Sequence, residues 1–383
     1  MKKNISIVKV LPVMFGFFIM GFVDIIGIAI NNVKSDFELT DTMVNLISLS
    51  CFFWFLVLSI PTGMLMNKIG RKKTVLLSFI FHVAAMCLPI FSYEYVPIII
   101  AFSLIGIGNT LLQVSLNPLI TDVVSKDKLT GTLTLGQFIK ALSSFFGPIL
   151  AGWVSGCVWG WKLIFPIYAI TSLLALLWLS FTPIQEEQIT QKEVSFATTF
   201  QLFKDKYITV FFIGILVLVS VDVSINITFP KILIERCGLP VADAGMGNSV
   251  YFFARTVGTF LGGLLLMKFS EKKFFVYSVW LAFAGLVLMA FCNELWLILG
   301  CVVLFGIGYA NLFSIIFSLS LKRMPQKANE VSALLIVGIS GGAILPPLLG
   351  VISDTFHSQL AAIIVLAVIW CYLIGLKKKI ETV

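Results

Sequence analysis

Charge is scarce in this chain. Only 12% of its 383 residues are Asp, Glu, Lys or Arg, against about 25% in soluble domains. That excludes a disordered chain and an ordinary soluble enzyme. Histidine is rarer still: His82 and His357 are the two present. The seven cysteines contain no C-x-x-C pair, so neither a disulfide framework nor a zinc site is supported, and no metal or cofactor is expected. The chain has no Walker glycine loop and no catalytic cluster, which argues against an enzyme and against ATP-driven transport. Its polar stretches are too short for a sensor's output module.

Apolar residues, by contrast, make up 59% of the chain, and mean hydropathy is +1.03. Such a chain needs lipid as its solvent. Twelve apolar runs are legible, at 10–32, 44–66, 74–92, 96–121, 132–156, 160–182, 207–229, 243–267, 274–292, 294–320, 331–353 and 358–376. Each is long enough for a membrane-spanning helix of about 20 residues. The expected fold is an all-α integral membrane protein of twelve transmembrane helices. The first run carries Asp24, lacks an A-x-A site and is too long for a cleaved signal peptide.

The net charge of +8 is explained by topology. With the N-terminus cytoplasmic, 21 of the 27 Lys and Arg fall in cytoplasmic segments and four in outside loops, a strong positive-inside bias. Both termini are then cytoplasmic, in a cell inner membrane. A nucleic-acid partner is not expected; lipid is, and the default is a monomer.

The chain repeats itself. Gly106-Ile107-Gly108 recurs as Gly306-Ile307-Gly308, and Gly63 with Lys72-Lys73 recurs as Gly263 with Lys272-Lys273, both at an offset of 200. Val23-Asp24 recurs as Val221-Asp222, and Pro148 as Pro347. Matches in register along the chain mark an internal repeat. Residues 1–182 form an N-terminal six-helix half, 183–206 a polar central loop and 207–383 a C-terminal half. Six-plus-six repeats suit secondary transporters, which rock two halves about a central site.

Ionisable residues inside apolar helices are functional candidates because lipid makes them expensive. Asp24 is one, with Asn31 seven residues on. Its surround disfavours a carboxylate's charge, which suits a proton carrier; structural pairing with Lys140 or Arg255 is the other reading. Asn109, Gln113 and Asn117 form a polar stripe at four-residue spacing in the fourth run, suited to sugar hydroxyls or to helix–helix hydrogen bonds. Gln137 and Lys140 share a face of the fifth run, and Asn311 adds a polar group in the tenth. Asp222 and Arg255 read as a structural charge pair.

The loop from Gly63 to Lys73, with Asn67, Gly70, Arg71 and Lys72, resembles the G-x-x-x-D-x-x-G-R-[RK] loop of the major facilitator superfamily, with Asn67 where Asp is usual. It reads as a cytoplasmic gating loop. Pro61-Thr62-Gly63, Asn117-Pro118 and the stretch Gly341 to Asp354 resemble the fucose–galactose–glucose:proton symporter branch across both halves. That resemblance implies proton-coupled uptake of a hexose, deoxyhexose or related sugar, with proton coupling by an Asp of the first helix, here Asp24 at about one turn's displacement. The branch carries Glu where this chain has Gln113, and tends to have Asn where it has Lys140. Lys140 is then either a counter-ion for Asp24 or a contact for an anionic solute, with snorkelling to the interface as a third reading. An exporter, antiporter or uniporter of another small solute is the alternative function.

Overall fold

The computed structural model describes residues 7–380 except 27, 28, 30, 31, 34, 35, 40, 155, 156, 187–194, 240–245 and 357. Asn31 and part of the central loop thus lie outside the described residues. Every regular element among the described residues is helical. Nine of these helices are long and apolar enough to cross a membrane. They coincide with nine of the twelve apolar runs. The other three runs, 132–156, 243–267 and 331–353, contain the interior polar residues Lys140 and Arg255 and the Gly341-Gly342 pair.

By its contacts the chain divides into two units. The first comprises Met1–Lys126, Ile139–Gln201 and Gln326–Val337. It holds α1 (Ile7–Met20), α2 (Asp41–Ile69), α3 (Arg71–Phe91), α4 (Tyr95–Val123), the later part of α5 (Leu129–Val154), α6 (Ile164–Phe181) and the short α7 (Phe196–Phe200). The first apolar run is not one continuous α-helix: α1 passes at Met20 into a tighter 3₁₀ stretch, Gly21–Ile25. Gly21 permits a close approach here, because a Cβ would stand 2.7 Å from the Lys140 carbonyl oxygen. The chain is drawn against the α5 backbone at that point.

Helices α2 and α4 cross closely at Gly106, where an added Cβ would meet the Cys51 carbonyl oxygen at 2.2 Å. Helix α4 runs through Pro118 without ending. Proline removes the bond to the carbonyl four residues back, which is that of Val114. Ser332 supplies the missing donor, its hydroxyl 2.7 Å from Val114 O. An unmet buried carbonyl would cost about 1–3 kcal/mol, so Ser332 makes this proline tolerable. At the opposite end of α4, Asp36 accepts from the Tyr93 hydroxyl at 2.6 Å and from the Trp161 ring nitrogen at 3.2 Å. That carboxylate ties three connections of the unit together.

The second unit comprises Asp127–Phe138, Leu202–Pro325 and Gly338–Val383. It holds the first turns of α5, then α8 (Lys206–Cys237), α9 (Met246–Leu265), α10 (Glu271–Phe291), α11 (Leu295–Tyr309), α12 (Leu312–Arg323), α14 (Leu345–Phe356) and α15 (Gln359–Ile380). Helix α13 (Ala328–Val337) belongs to the first unit. Asp205 caps α8 by accepting from Tyr207 N and Ile208 N, the usual remedy for exposed first-turn amides. The tenth apolar run breaks at Asn311 into α11 and α12. The eleventh breaks at a 3₁₀ stretch, Gly338–Ala343, where Gly341 lies against α8 and its carbonyl accepts from Ser220 at 2.7 Å. Trp370 is fully buried and donates to Val279 O at 3.0 Å.

Candidate functional site

The first polar cluster surrounds Asp24. The 3₁₀ stretch after α1 presents its carboxylate to α5, where it accepts from the Ser144 hydroxyl. Ser144 also lies 3.0 Å from the Lys140 carbonyl. Asp24 itself is exposed, and Lys140 is half-buried. The single hydroxyl proton of Ser144 can serve either oxygen.

The second feature is a set of asparagine side chains with a common geometry. Asn109 Nδ2 donates to Met20 O at 3.2 Å, and Asn117 Nδ2 to Gln113 O at 2.9 Å. In the second unit Asn226 Nδ2 donates to Asp222 O at 2.8 Å, and Asn311 Nδ2 to Gly258 O at 3.1 Å. A backbone carbonyl only accepts, so each amide can be oriented only one way. The four Oδ1 atoms are then left as buried acceptors, and among the described residues none has a partner. Unmatched buried polar atoms are rare and call for an explanation.

The third cluster lies wholly in the second unit. Arg255 Nη1 reaches both carboxylate oxygens of Asp222, at 3.1 and 2.9 Å. The Tyr251 hydroxyl donates to the same carboxylate. The guanidinium carbon of Arg255 stands 4.7 Å from the centre of the Tyr309 ring, within cation–π range. The two opposite charges are thus matched, and the pair is net neutral.

The fourth cluster gathers the loop between α2 and α3. Gly70 turns the chain with φ of 93°, in the region that favours glycine. The Arg71 and Lys72 amides that open α3 donate to Glu186 at 2.6 and 2.9 Å. An anion at a helix N-terminus is favoured by the helix dipole. The Lys72 ammonium in turn caps α6, reaching Ser180 O and Thr182 O at 3.0 and 2.8 Å. Arg71 is buried, as is its partner Asp122, 2.9 Å away. Arg71 Nε donates to Asn329 Oδ1 at 2.8 Å, and the Asn329 amide donates to Asn67. Asn67 therefore works here as a neutral acceptor. Gly63 admits the opening of α13, since a Cβ there would lie 2.8 Å from Ala333 Cβ.

Beside this cluster Glu330 is buried, and its Oε2 has no partner among the described residues. Burial raises its carboxyl above the usual carboxylate range, against the opposing charges of Lys327 and Arg71. An acid whose folded value is raised binds its proton more tightly in the native state. Stability is therefore gained as pH falls through the folded value and lost as it rises. Glu330→Gln should melt about 2 °C higher than the parent at neutral pH, with the advantage vanishing in acid. Thermal melts in detergent at the two pH values check this; a variant less stable at both would refute it.

A family model of the Major Facilitator Superfamily matches residues 13–247 and 216–379. The chain belongs to this superfamily. Among curated relatives, the glucose/galactose transporter of Brucella abortus is 25% identical over 364 residues, covering 90% of this chain and 87% of its own. A putative glucose/galactose transporter of Helicobacter pylori is 26% identical over 370 residues, covering 88% and 87%. A probable nitrate transporter, NarT of Staphylococcus aureus, is 25% identical over 352 residues, covering 88% and 86%. The fold is that of the E. coli fucose:proton symporter FucP, with a TM-score of 0.87 at 17% identity over 98% of this chain and 99% of FucP.

Several facilitator residues in these clusters escape a reading of the sequence alone. Asp122, Glu186 and Asn329 surround Arg71 from positions 51, 115 and 258 residues away. Tyr251 joins Asp222 from 29 residues away. A signal for Asp122 exists in the internal repeat, because Lys322 occupies the position 200 residues on. Gln137 is half-buried in the α5 segment assigned to the second unit, whereas Lys140 belongs to the first.

Proposed function

We propose that the protein is a secondary active transporter of twelve transmembrane helices that imports a hexose, deoxyhexose or related sugar with protons. Residues 1–182 and 207–383 are its two repeats, joined by the central loop 183–206. It is a monomer in the inner membrane with both termini cytoplasmic. Asp24 carries the proton. Asn31, Asn109, Gln113, Asn117, Gln137, Lys140 and Asn311 furnish the sugar contacts, and the loop of Gly63, Asn67, Gly70, Arg71 and Lys72 holds one conformation closed at the cytoplasmic face.

The observation that carries this reading is the pair of orphaned oxygens of Asn109 and Asn117 within the first unit. They are acceptors, so the solute that completes them must bring donors. Sugar hydroxyls do; nitrate has only acceptors and would leave every one of them unmet. The interior guanidinium of Arg255 is already matched by Asp222, which leaves it no net charge for an anion. A second reading, transport of an anionic solute such as a uronate, draws on Lys140 alone.

The test is external pH in de-energised cells expressing the chain, with hexoses, L-fucose, uronates and nitrate added in turn. Alkalinisation with a neutral sugar is the expected outcome. A response confined to uronates or nitrate would transfer the role to Lys140, and silence across the panel with the protein in the membrane would overturn sugar symport.

A further inference from the structure

Asn109 and Asn117 lie about two turns apart on α4, and each carries an orphaned oxygen. Their amide nitrogens differ in what they hold. Asn117 Nδ2 bonds within α4, to Gln113 O, whereas Asn109 Nδ2 crosses to α1 and donates to Met20 O at 3.2 Å. Met20 is the residue at which α1 gives way to the 3₁₀ stretch Gly21–Ile25, and that stretch carries Asp24. Asn109 is fully buried, so no water competes for this bond.

The same turn of chain is lodged against α5. An added Cβ at Gly21 would stand 2.7 Å from the Lys140 carbonyl oxygen and 2.7 Å from Ser143 Cβ. That carbonyl is the one beside Ser144, whose hydroxyl donates to Asp24. Helix α4 thus holds the start of the 3₁₀ stretch, and α5 holds its first residue and its carboxylate. Short 3₁₀ stretches within helices often mark hinges. The internal repeat supports a link between these positions. Tyr309 stands 200 residues after Asn109, and Asp222 stands 198 after Asp24. The Tyr309 ring faces Arg255, the partner of Asp222. The two positions are connected in both repeats, by different chemistry.

We propose that Asn109 is a positioning residue that joins the solute site to Asp24 through the Met20 carbonyl. A solute hydroxyl donating to Oδ1 polarises the amide and strengthens the N–H bond on its other side, because hydrogen bonds in series reinforce one another. A tighter hold on Met20 fixes the 3₁₀ stretch, and with it the placement of Asp24 against Ser144. Solute binding and protonation of Asp24 are then coupled, each altering the affinity for the other by the same factor. Asn117, tied to its own helix, offers a contact without this coupling. The role rests on the sugar and proton reading of this site and adds the residue that links the two.

Infrared titration of the Asp24 carboxyl band, identified by its loss in Asp24→Asn, tests this in the purified full chain. Two variants loosen the joint from different sides. Asn109→Leu keeps the size of the side chain and removes its donor. Gly21→Ala drives α1 off the Lys140 carbonyl, leaves α4 untouched, and serves where Asn109→Leu does not fold. Each should move the midpoint of the titration by about one pH unit, tenfold in proton affinity, while Asn117→Leu keeps the parental value. The titratable neighbours are Tyr168 on α6 and Cys51 on α2, both within reach of the Asp24 charge, and Lys140 one turn before Ser144 on α5. All three stay in place in these variants. Saturating L-fucose or D-galactose should then shift the band in the parent and not in Asn109→Leu. A parental midpoint in Asn109→Leu or Gly21→Ala would overturn the joint, as would an equal movement in Asn117→Leu. A sugar-induced shift absent from the parent, or persisting in Asn109→Leu, would overturn the link to the solute. A parent without a titrating Asp24 band would instead overturn proton coupling by Asp24, and the joint's role with it, so the two failures are told apart.

Discussion

Asp24→Asn is expected to abolish uphill sugar accumulation while leaving sugar exchange within a few-fold of the parent. Accumulation against a gradient needs a group that binds a proton on one side and releases it on the other. Asn preserves the volume of Asp24 and can still meet the Ser144 hydroxyl, but it cannot titrate. The fold around it should survive, because Asp24 is exposed and its hydrogen bond with Ser144 is local to the α5 face. Counterflow of labelled sugar, which needs no gradient, then continues, while the steady-state ratio of internal to external sugar falls to one. The measurement is both assays on the same vesicles. Persistent accumulation in Asp24→Asn would move proton coupling to another group; loss of both activities would make Asp24 a solute contact or a structural residue.

The helical plan was legible because lipid imposes a length and a composition on anything that crosses it. Breaks within the runs were less so. Asn311 stands out as a polar residue in 294–320, but nothing in the run marks a helix end there; its side chain occupies the space beside Gly258 and Gly262, and α11 ends at that point. Pro61 and Pro118, although proline commonly breaks a helix, sit inside continuous helices. For Pro118 the reason is the Ser332 hydroxyl, brought to the Val114 carbonyl from 218 residues away. Polar residues in apolar runs were equally legible as a class, since their scarcity singles them out. Their partners were not, because a hydrogen bond between helices obeys no sequence spacing. The internal repeat is the exception: it links Arg71 to Glu271 and Asp122 to Lys322 by arithmetic alone, although the reversal of sign hides the likeness from any comparison of residue types.

The Asp222–Arg255 pair gives the largest expected effect on folding, and the pattern across three variants matters more than any one. Arg255→Met leaves the Asp222 carboxylate with the Tyr251 hydroxyl as its donor in the interior of the second unit. Breaking one partner of a desolvated pair costs about 3–5 kcal/mol, and the partial exposure of both side chains, 29% and 14%, places the expected loss at the lower end. Asp222→Asn is milder, because the Tyr309 ring still faces the guanidinium and an amide oxygen still accepts from it. The double variant Asp222→Asn/Arg255→Met removes both charges and should recover most of the stability lost by Arg255→Met, since replacing a buried pair by neutral groups is often near neutral. Thermal melts of all three complete a double-mutant cycle, whose coupling energy should be about 2 kcal/mol. Transport then separates structure from chemistry. Recovery of folding together with transport would make the pair a support for the orphaned oxygen of Asn226, one turn along α8. Recovery of folding with transport still lost would place Arg255 itself on the path of the solute.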